Sequence, residues 1–219
     1  MTLTIVGSGW HAQVVAELAG LLNRYGRVEF LDRDWPAKKT WGDWRVAGGF
    51  DRLDENLASD SHEYVVALGD NAVRVALCRE IMKNGGTLAT LIHPHAFVSE
   101  RATVGPGTVI CAGATIQPYA RIGVGCIVNT AASVDHHCEL RDGVHLSPGV
   151  HLSGNDSIGE RTWLGTGVSV RDKITIGADI TVGVGAVVVS DLHERGVYFG
   201  VPSRKRPGKG SPSRKRTSD

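Results

Sequence analysis

Val98-Ser99-Glu100-Arg101-Ala102-Thr103-Val104-Gly105-Pro106-Gly107-Thr108-Val109-Ile110 sets an aliphatic residue at every sixth position. The series continues without a gap through Ile116, Ile122, Val128, Val134, Leu140, Leu146, Leu152, Ile158, Leu164, Val170, Ile176, Val182 and Val188, sixteen positions at one spacing. Four residues after each aliphatic the side chain is usually small, as at Ala102, Thr108, Ala114, Ala120, Cys126, Ala132 and Cys138. Glycine often follows the aliphatic directly, as at Gly105, Gly123, Gly159, Gly165, Gly177 and Gly183. A period of six is neither the 3.6 of a helix nor the two of a plain strand. It suits a short strand and a tight corner, with the aliphatic turned inward, the small residue fitting the corner and glycine easing the backbone there. Three hexads close one triangular coil, and coils stacked at about 4.8 Å bury an aliphatic column whose ends need covers.

The repeat resembles the hexapeptide repeat of the left-handed parallel β-helix, and it is preceded by a segment of another kind. Leu3–Val6 reads as a strand, Gly7-Ser8-Gly9-Trp10-His11-Ala12 as a turn, and Ala12 to about Arg24 as a helix. Val28–Leu31 reads as a second strand ending at Asp32. Tyr64–Leu68 is a third, running through Gly69-Asp70-Asn71 into a helix that ends near Lys83. Leu88–Ile92 then delivers the chain to the repeat. The expected fold is an α/β N-terminal domain, a small Rossmann-like βαβ sheet over 1–92, followed by an all-β left-handed parallel β-helix over 93–202. The remaining residues, 203–219, are polar, basic and rich in Gly and Pro, and are expected to be a disordered tail.

Composition narrows the function. The 24 basic and 23 acidic residues nearly cancel, but seven of the basic ones and a single acid lie in 203–219, leaving 17 basic against 22 acidic groups elsewhere. A mildly acidic body excludes a nucleic-acid surface. No apolar run is long enough for a membrane span, and the N-terminus lacks the basic region and cleavage site of a secretory signal. Cys78, Cys111, Cys126 and Cys138 form no CxxC pair and no metal-ligand spacing, so they read as buried thiols of a cytoplasmic protein with no metal.

Four motifs carry a more specific resemblance, over residues 1 to about 206: Gly7-Ser8-Gly9-Trp10-His11, Ala67-Leu68-Gly69-Asp70-Asn71, Asn129-Thr130-Ala131-Ala132-Ser133-Val134-Asp135-His136-His137-Cys138 and Gly200-Val201-Pro202-Ser203-Arg204. Together they resemble the hexapeptide-repeat sugar acyltransferases of the NeuD/PglD-like group. That group comprises acetyl-CoA-dependent N-acetyltransferases of nucleotide-linked 4-amino sugars and O-acetyltransferases of sialic acid. The resemblance implies N-acetylation of a nucleotide-linked 4-amino-4,6-dideoxy sugar, with O-acetylation of sialic acid or a related sugar as the alternative. It also implies a cytoplasmic homotrimer serving cell-surface polysaccharide biosynthesis. Carried over by position, His136 is the general base, and His145, Gly154, Thr166 and Val184 contact acetyl-CoA, the acyl donor. Gly9, Trp10, His11 and Gly69 line the phosphates and sugar, Asp32 and Arg33 the nucleobase. Asn129 either orients the acceptor or caps a turn.

The residues themselves fit such chemistry. An amine attacking a thioester loses a proton as the tetrahedral adduct forms, and imidazole accepts it near neutral pH. Backbone N–H groups at glycine-rich corners can face the developing oxyanion. His136 and His145 lie half a coil apart on different faces, so they can meet only across a subunit boundary. No Cys or Ser stands beside a base in an obvious way, which predicts direct transfer.

Two departures from the group stand out. The residue after the base is usually an acid, and here it is His137. Asp135 alternates to the other face, and Asp156 occupies an interior position normally held by a small residue. Either another carboxylate substitutes, or the base is weaker, or the acceptor is a fairly nucleophilic amine. Trp10 replaces a smaller residue. Two other readings weigh less: Gly7-x-Gly9-x-x-Ala12 with Asp32 fits a dinucleotide fingerprint, but the domain is too short for an NAD enzyme. His136, His145 and His151 do not reproduce the three-histidine arrangement of a carbonic anhydrase.

Overall fold

The computed structural model describes residues 1–57 and 59–206. Its first part runs β1 (Thr2–Val6), α1 (Trp10–Leu21), β2 (Arg27–Leu31), β3 (Thr40–Trp41), β4 (Trp44–Gly48), β5 (His62–Val66), α2 (Asn71–Lys83) and β6 (Thr87–Leu88). The strands lie in the order β3-β4-β2-β1-β5-β6. All neighbours are parallel except β3 and β4. Leu3, Ile5 and Val6 in β1 are buried, the apolar run that a central strand covered on both faces requires. α1 stops three residues short of the expected end, because Asn23 turns left-handed at φ 54°. The β3–β4 hairpin is absent from the sequence reading. Its two-residue loop is Gly42-Asp43, with Gly42 at φ 59°.

The second part is the left-handed parallel β-helix. Val109–Ile110, Ile127–Val128, His145–Leu146 and Trp163–Leu164 stack in register at an 18-residue offset on one sheet. Ser133–Val134, His151–Leu152 and Ser169–Val170 form part of a second sheet. Glu139–Leu140, Ser157–Ile158 and Thr175–Ile176 belong to a third. The aliphatic column from Ile110 to Val188 is the core.

The corners differ from expectation in one respect. From Gly107 to Gly185, every sixth residue has positive φ, and it stands three places after the aliphatic rather than one. Glycines directly after the aliphatic meet another need: a Cβ on Gly159 would lie 2.4 Å from the backbone of the next coil at Ala178. They allow close stacking, not a turn. Polar residues inside the corners bond between coils. The Thr162 hydroxyl donates to Gly177 O at 2.7 Å and accepts from the Ile180 N–H at 3.1 Å.

The two parts are joined firmly. Leu91, Val109 and Cys111 of the solenoid pack into the core beneath α1. α2 lies along one corner, where a Cβ on Gly143 would meet Val75 Cγ2 at 2.1 Å. Arg74, only 1% exposed, donates to Leu68 O, Gly125 O and Gly143 O, each at 2.8 Å, and to Asn71 Oδ1 at 2.9 Å. Burial lowers its pKa to about 10, so it remains charged at neutral pH.

The boundaries of the solenoid shift slightly. Leu91–Ile92 already pairs with Val109–Ile110, inside the segment assigned to the first domain. At the other end Gly196–Phe199 adds a strand, and Arg204–Lys205 pairs antiparallel with it, so regular structure reaches past 202 into the expected tail. Residues 207–219 of that tail lie outside the described residues. Among the described residues, no helix is long and apolar enough to cross a membrane.

Candidate active site

β1 and β5 are parallel neighbours, and the loops after them, Gly7–Gly9 and Ala67–Asp70, open side by side at the point where the sheet order switches direction. Gly7 is required by the fold: its φ is 100° and a Cβ would strike Leu68 Cδ2 at 2.4 Å. Gly9 and Gly69 are not. A Cβ on either would meet nothing within 4 Å, so their bareness leaves room in the crevice rather than relieving a clash. The two helices entering there differ. Asp70 caps α2, accepting from the Ala72 and Val73 N–H groups at 2.9 and 3.0 Å. α1 begins at Gly9 with no side-chain cap, so its first N–H groups face the crevice unclaimed by a side chain.

Around this crevice, Trp10 is 79% exposed and packs against Trp41 with ring centroids 5.4 Å apart. His11 is half-buried, and burial together with the charge of Arg74 lowers its pKa to about 4, leaving it neutral. Its Nε2 is buried with no hydrogen-bond partner among the described residues. Asp32 is buried with both carboxylate oxygens engaged: Ser8 Oγ donates to one and the Asp34 N–H to the other at 2.8 Å. Burial opposes its charge, but these bonds and nearby Lys38 outweigh that and hold its pKa below the ordinary value. A carboxylate spent this way is poorly placed to grip a ribose, which weakens the dinucleotide reading further. Arg33 is exposed.

Lys38 and Trp41 are absent from the sequence reading. Lys38 Nζ donates to Ser8 O at 2.9 Å and lies 3.6 Å from the Trp41 ring centre, strapping the segment before β3 across the glycine loop. Their only sequence signal is a Lys and Trp cluster between strands.

On the solenoid, His136 and His137 are exposed at the corner between the second and third sheets. The imidazole of His136 lies over Gly154 on the next coil, where a Cβ would come within 2.4 Å of its Cε1. Gly154 therefore seats His136 and is not beside His145. His136 Nδ1 stands 3.2 Å from His137 Nδ1. Asp135 caps the corner instead, its Oδ1 accepting the His136 N–H at 2.7 Å. Asp156 is no substitute acid for His136: it is 1% exposed inside the coil, and its Oδ1 accepts from the Ile174 N–H at 2.8 Å. Burial raises its pKa to about 7.

His145 is half-buried on the first sheet, stacked 6.1 Å from Trp163, whose Nε1 donates to Ser147 Oγ at 2.8 Å. The crevice reaches toward this strand, since Asn71 Nδ2 donates to Arg161 O at 2.8 Å, two residues before Trp163. Thr166 and Val184 are exposed one coil apart on the corner between the first and second sheets, a different edge from that of Gly154. Asn129, on the same edge, accepts the Thr130 N–H at 2.8 Å and so caps its own turn. One chain thus splits the expected donor site between two edges. The four cysteines are buried and free, and burial pushes the Cys126 thiol up to about 12. Among the described residues, no three His, Cys, Asp or Glu side chains gather to hold a metal ion.

Residues 2–81 match the PglD N-terminal domain family. The acetyltransferase domain of PglB from Neisseria gonorrhoeae is 40% identical, with a TM-score of 0.90 over 94% of this chain and 99% of that one. The same domain in complex with acetyl coenzyme A has a TM-score of 0.89. PerB from Caulobacter crescentus, in complex with CoA and GDP-perosamine, is 36% identical, with a TM-score of 0.88 over 94% of this chain and 98% of that one. UDP-N-acetylbacillosamine N-acetyltransferase of Bacillus subtilis is 38% identical over 115 residues, 50% of this chain and 51% of the relative. The chain spans about half the length of the curated relatives it matches.

Proposed function

From the premise that the chain belongs to the PglD-like hexapeptide-repeat acyltransferases, we propose that it transfers acetyl from acetyl-CoA to the amino group of a nucleotide-linked 4-amino-4,6-dideoxy sugar. The observation that carries this reading is the 40% identity, along nearly the whole of both chains, to a domain whose structure holds acetyl coenzyme A. The acceptors named for the relatives are amino sugars, which favours an amine over the hydroxyl of sialic acid.

In this reading the diphosphate rests at the open N-terminus of α1, beside Gly9, His11 and Gly69. The exposed ring of Trp10 and the half-buried ring of Trp41 flank the sugar or base, and Arg33 approaches the base. Asp32 shapes the loop through Ser8. His136 takes the proton of the attacking amine, and corner N–H groups receive the oxyanion. Transfer is direct, because each cysteine thiol is buried and held above its ordinary pKa. His145, Thr166 and Val184 meet acetyl-CoA across a boundary with the His136 corner of a neighbouring copy, which makes the active form a homotrimer. Its place is the cytoplasm, where both substrates are available.

The test is thiol release from acetyl-CoA by the purified protein. The acceptors would be UDP-, dTDP- and GDP-linked 4-amino-6-deoxy sugars beside free and CMP-linked sialic acid. Turnover of one amino sugar supports the proposal and names the nucleotide. Turnover of sialic acid alone replaces it with O-acetylation, and silence across the panel refutes it.

A further inference from the structure

His137 is the second imidazole at the base, and its setting is specific. It occupies a left-handed corner position at φ 59°, with its N–H donating to Pro118 O at 3.2 Å. That backbone turns its ring against Tyr119, 4.9 Å away at 32°, on the coil before. The remaining edge presents Nδ1 to His136 Nδ1 at 3.2 Å, the two rings lying at 82°. A hydrogen bond between two neutral imidazole nitrogens needs one N–H and one bare lone pair. If His136 donates, its Nε2 is left bare to act as a base. If His137 donates, His136 carries its proton on Nε2 and cannot.

We propose that His136 and His137 form a proton-sharing pair in which His137 accepts the His136 Nδ1 proton while Tyr119 holds the His137 ring in place. The proposal rests on the reading of His136 as general base. As the amine nitrogen bonds to the thioester carbon, the amine proton passes to His136 Nε2, and the His136 Nδ1 proton shifts to His137 Nδ1. The positive charge then passes to the His137 ring, which shares the proton with His136 through the hydrogen bond. When the C–S bond breaks, the shift reverses and His136 Nε2 returns its proton to the departing thiolate. Both imidazoles end as they began, and no other reactant is consumed. A carboxylate partner would meet the imidazolium with a full negative charge; His137 meets it with a lone pair, so the device works only while both rings are neutral.

Other charges around the corner are arranged differently. Asp135 turns its carboxylate to the His136 backbone. Asp156 lies inside the next coil. Arg101 joins Tyr119, and Lys173 joins Gly154, only through backbone hydrogen bonds. Asp172 acts electrostatically on Asp156. None of these side chains is hydrogen-bonded to either ring.

Two measurements on the full-length protein test the pair. In nitrogen-15 NMR of histidine-labelled protein, the neutral form should show the proton of the pair on His136 Nδ1. The two rings should titrate as one coupled system rather than as independent groups. Independent titration, or a neutral His136 protonated on Nε2, overturns the proposal whatever the activity. The second measurement is the pH profile of kcat. His137→Asn suits the left-handed backbone and can accept the Nδ1–H but cannot take the proton. It should lower kcat about tenfold or more, leave KM for acetyl-CoA within about twofold and flatten the acid limb to a single ionisation. His137→Glu should recover part of the loss and shift that limb to higher pH. Tyr119→Gly keeps the backbone and removes the clamp, with Tyr119→Phe recovering most of what is lost. A His137→Asn protein with the parent profile rejects the pair. A His136→Ala protein with the parent kcat rejects the general-base reading itself, a failure distinct from that of His137 alone.

Discussion

Gly154 has no side chain at the spot where the His136 ring lies, and its backbone needs no special freedom. Gly154→Ala should therefore fold normally and push the imidazole off its seat. With His136 in its proposed role as base, the expected loss in kcat is about ten- to a hundredfold with an unchanged melting temperature, since a base misplaced by an ångström forfeits much of its contribution. An activity assay paired with thermal unfolding checks both halves. Asp156, on the same coil, governs pH dependence instead. Burial raises its pKa to about 7 against an ordinary carboxylate value near 4. Between those limits the folded protein holds a proton that the unfolded chain has released, so stability falls as pH rises through the window and is flat above it. Asp156→Asn cannot ionise. Its melting temperature should exceed the parent's at pH 8 by more than at pH 5; equal differences at the two values would refute the assignment. The sequence marked Asp156 as misplaced among small residues, but whether it faced His136 or the interior depends on a corner geometry that composition does not reveal.

At the level of elements, α2 is held to the solenoid by shape as well as by the hydrogen bonds of Arg74. Gly143 and Gly149 have nearly equal φ values, 67° and 66°, but a Cβ on Gly143 meets Val75 and one on Gly149 meets nothing within 4 Å. Gly149→Ala should cost only the left-handed strain, about 1–2 kcal/mol. Gly143→Ala should cost about 1–3 kcal/mol more, because it also overpacks the α2 interface. Denaturant unfolding of both variants measures the docking term by difference. Equal destabilisation would mean that Val75 yields. The hexad was legible because each coil repeats the same inward and outward choices, so sixteen weak signals add. The left-handed positions were hidden: Tyr119, Ala131, His137, Asn155, Arg161, Lys173 and Asp179 fill the same corners as glycines. There the stacked coils impose the backbone on residues that would not choose it. The β3–β4 hairpin escaped because β3, with two residues, is too short to display a period, although Gly42-Asp43 between two tryptophans is a recognisable turn.

For the whole molecule, the division of the site between edges sets the decisive test. His136 stands at the corner between the second and third sheets and His145 on the first, so neither faces the other within one chain. The sequence foresaw this from their spacing of half a coil, whereas the edge that sets Gly154 beside His136, apart from Thr166 and Val184, was not read from it. Residues sharing a period still separate by edge when their offsets from one another are not multiples of 18. If each site takes His136 from one copy and His145 from its neighbour, His136→Ala and His145→Ala proteins are each defective everywhere. Refolded together in equal amounts, they would form mixed trimers on the proposed assembly. An interface then recovers both wild-type histidines when the two defects fall on the outer sides, which random assembly gives at roughly a quarter of interfaces. The mixture should regain about that share of parental activity, while each variant alone stays near background. A mixture that scatters light as a trimer and yet recovers nothing would place both histidines in one chain's site, and the shared arrangement would have to be abandoned.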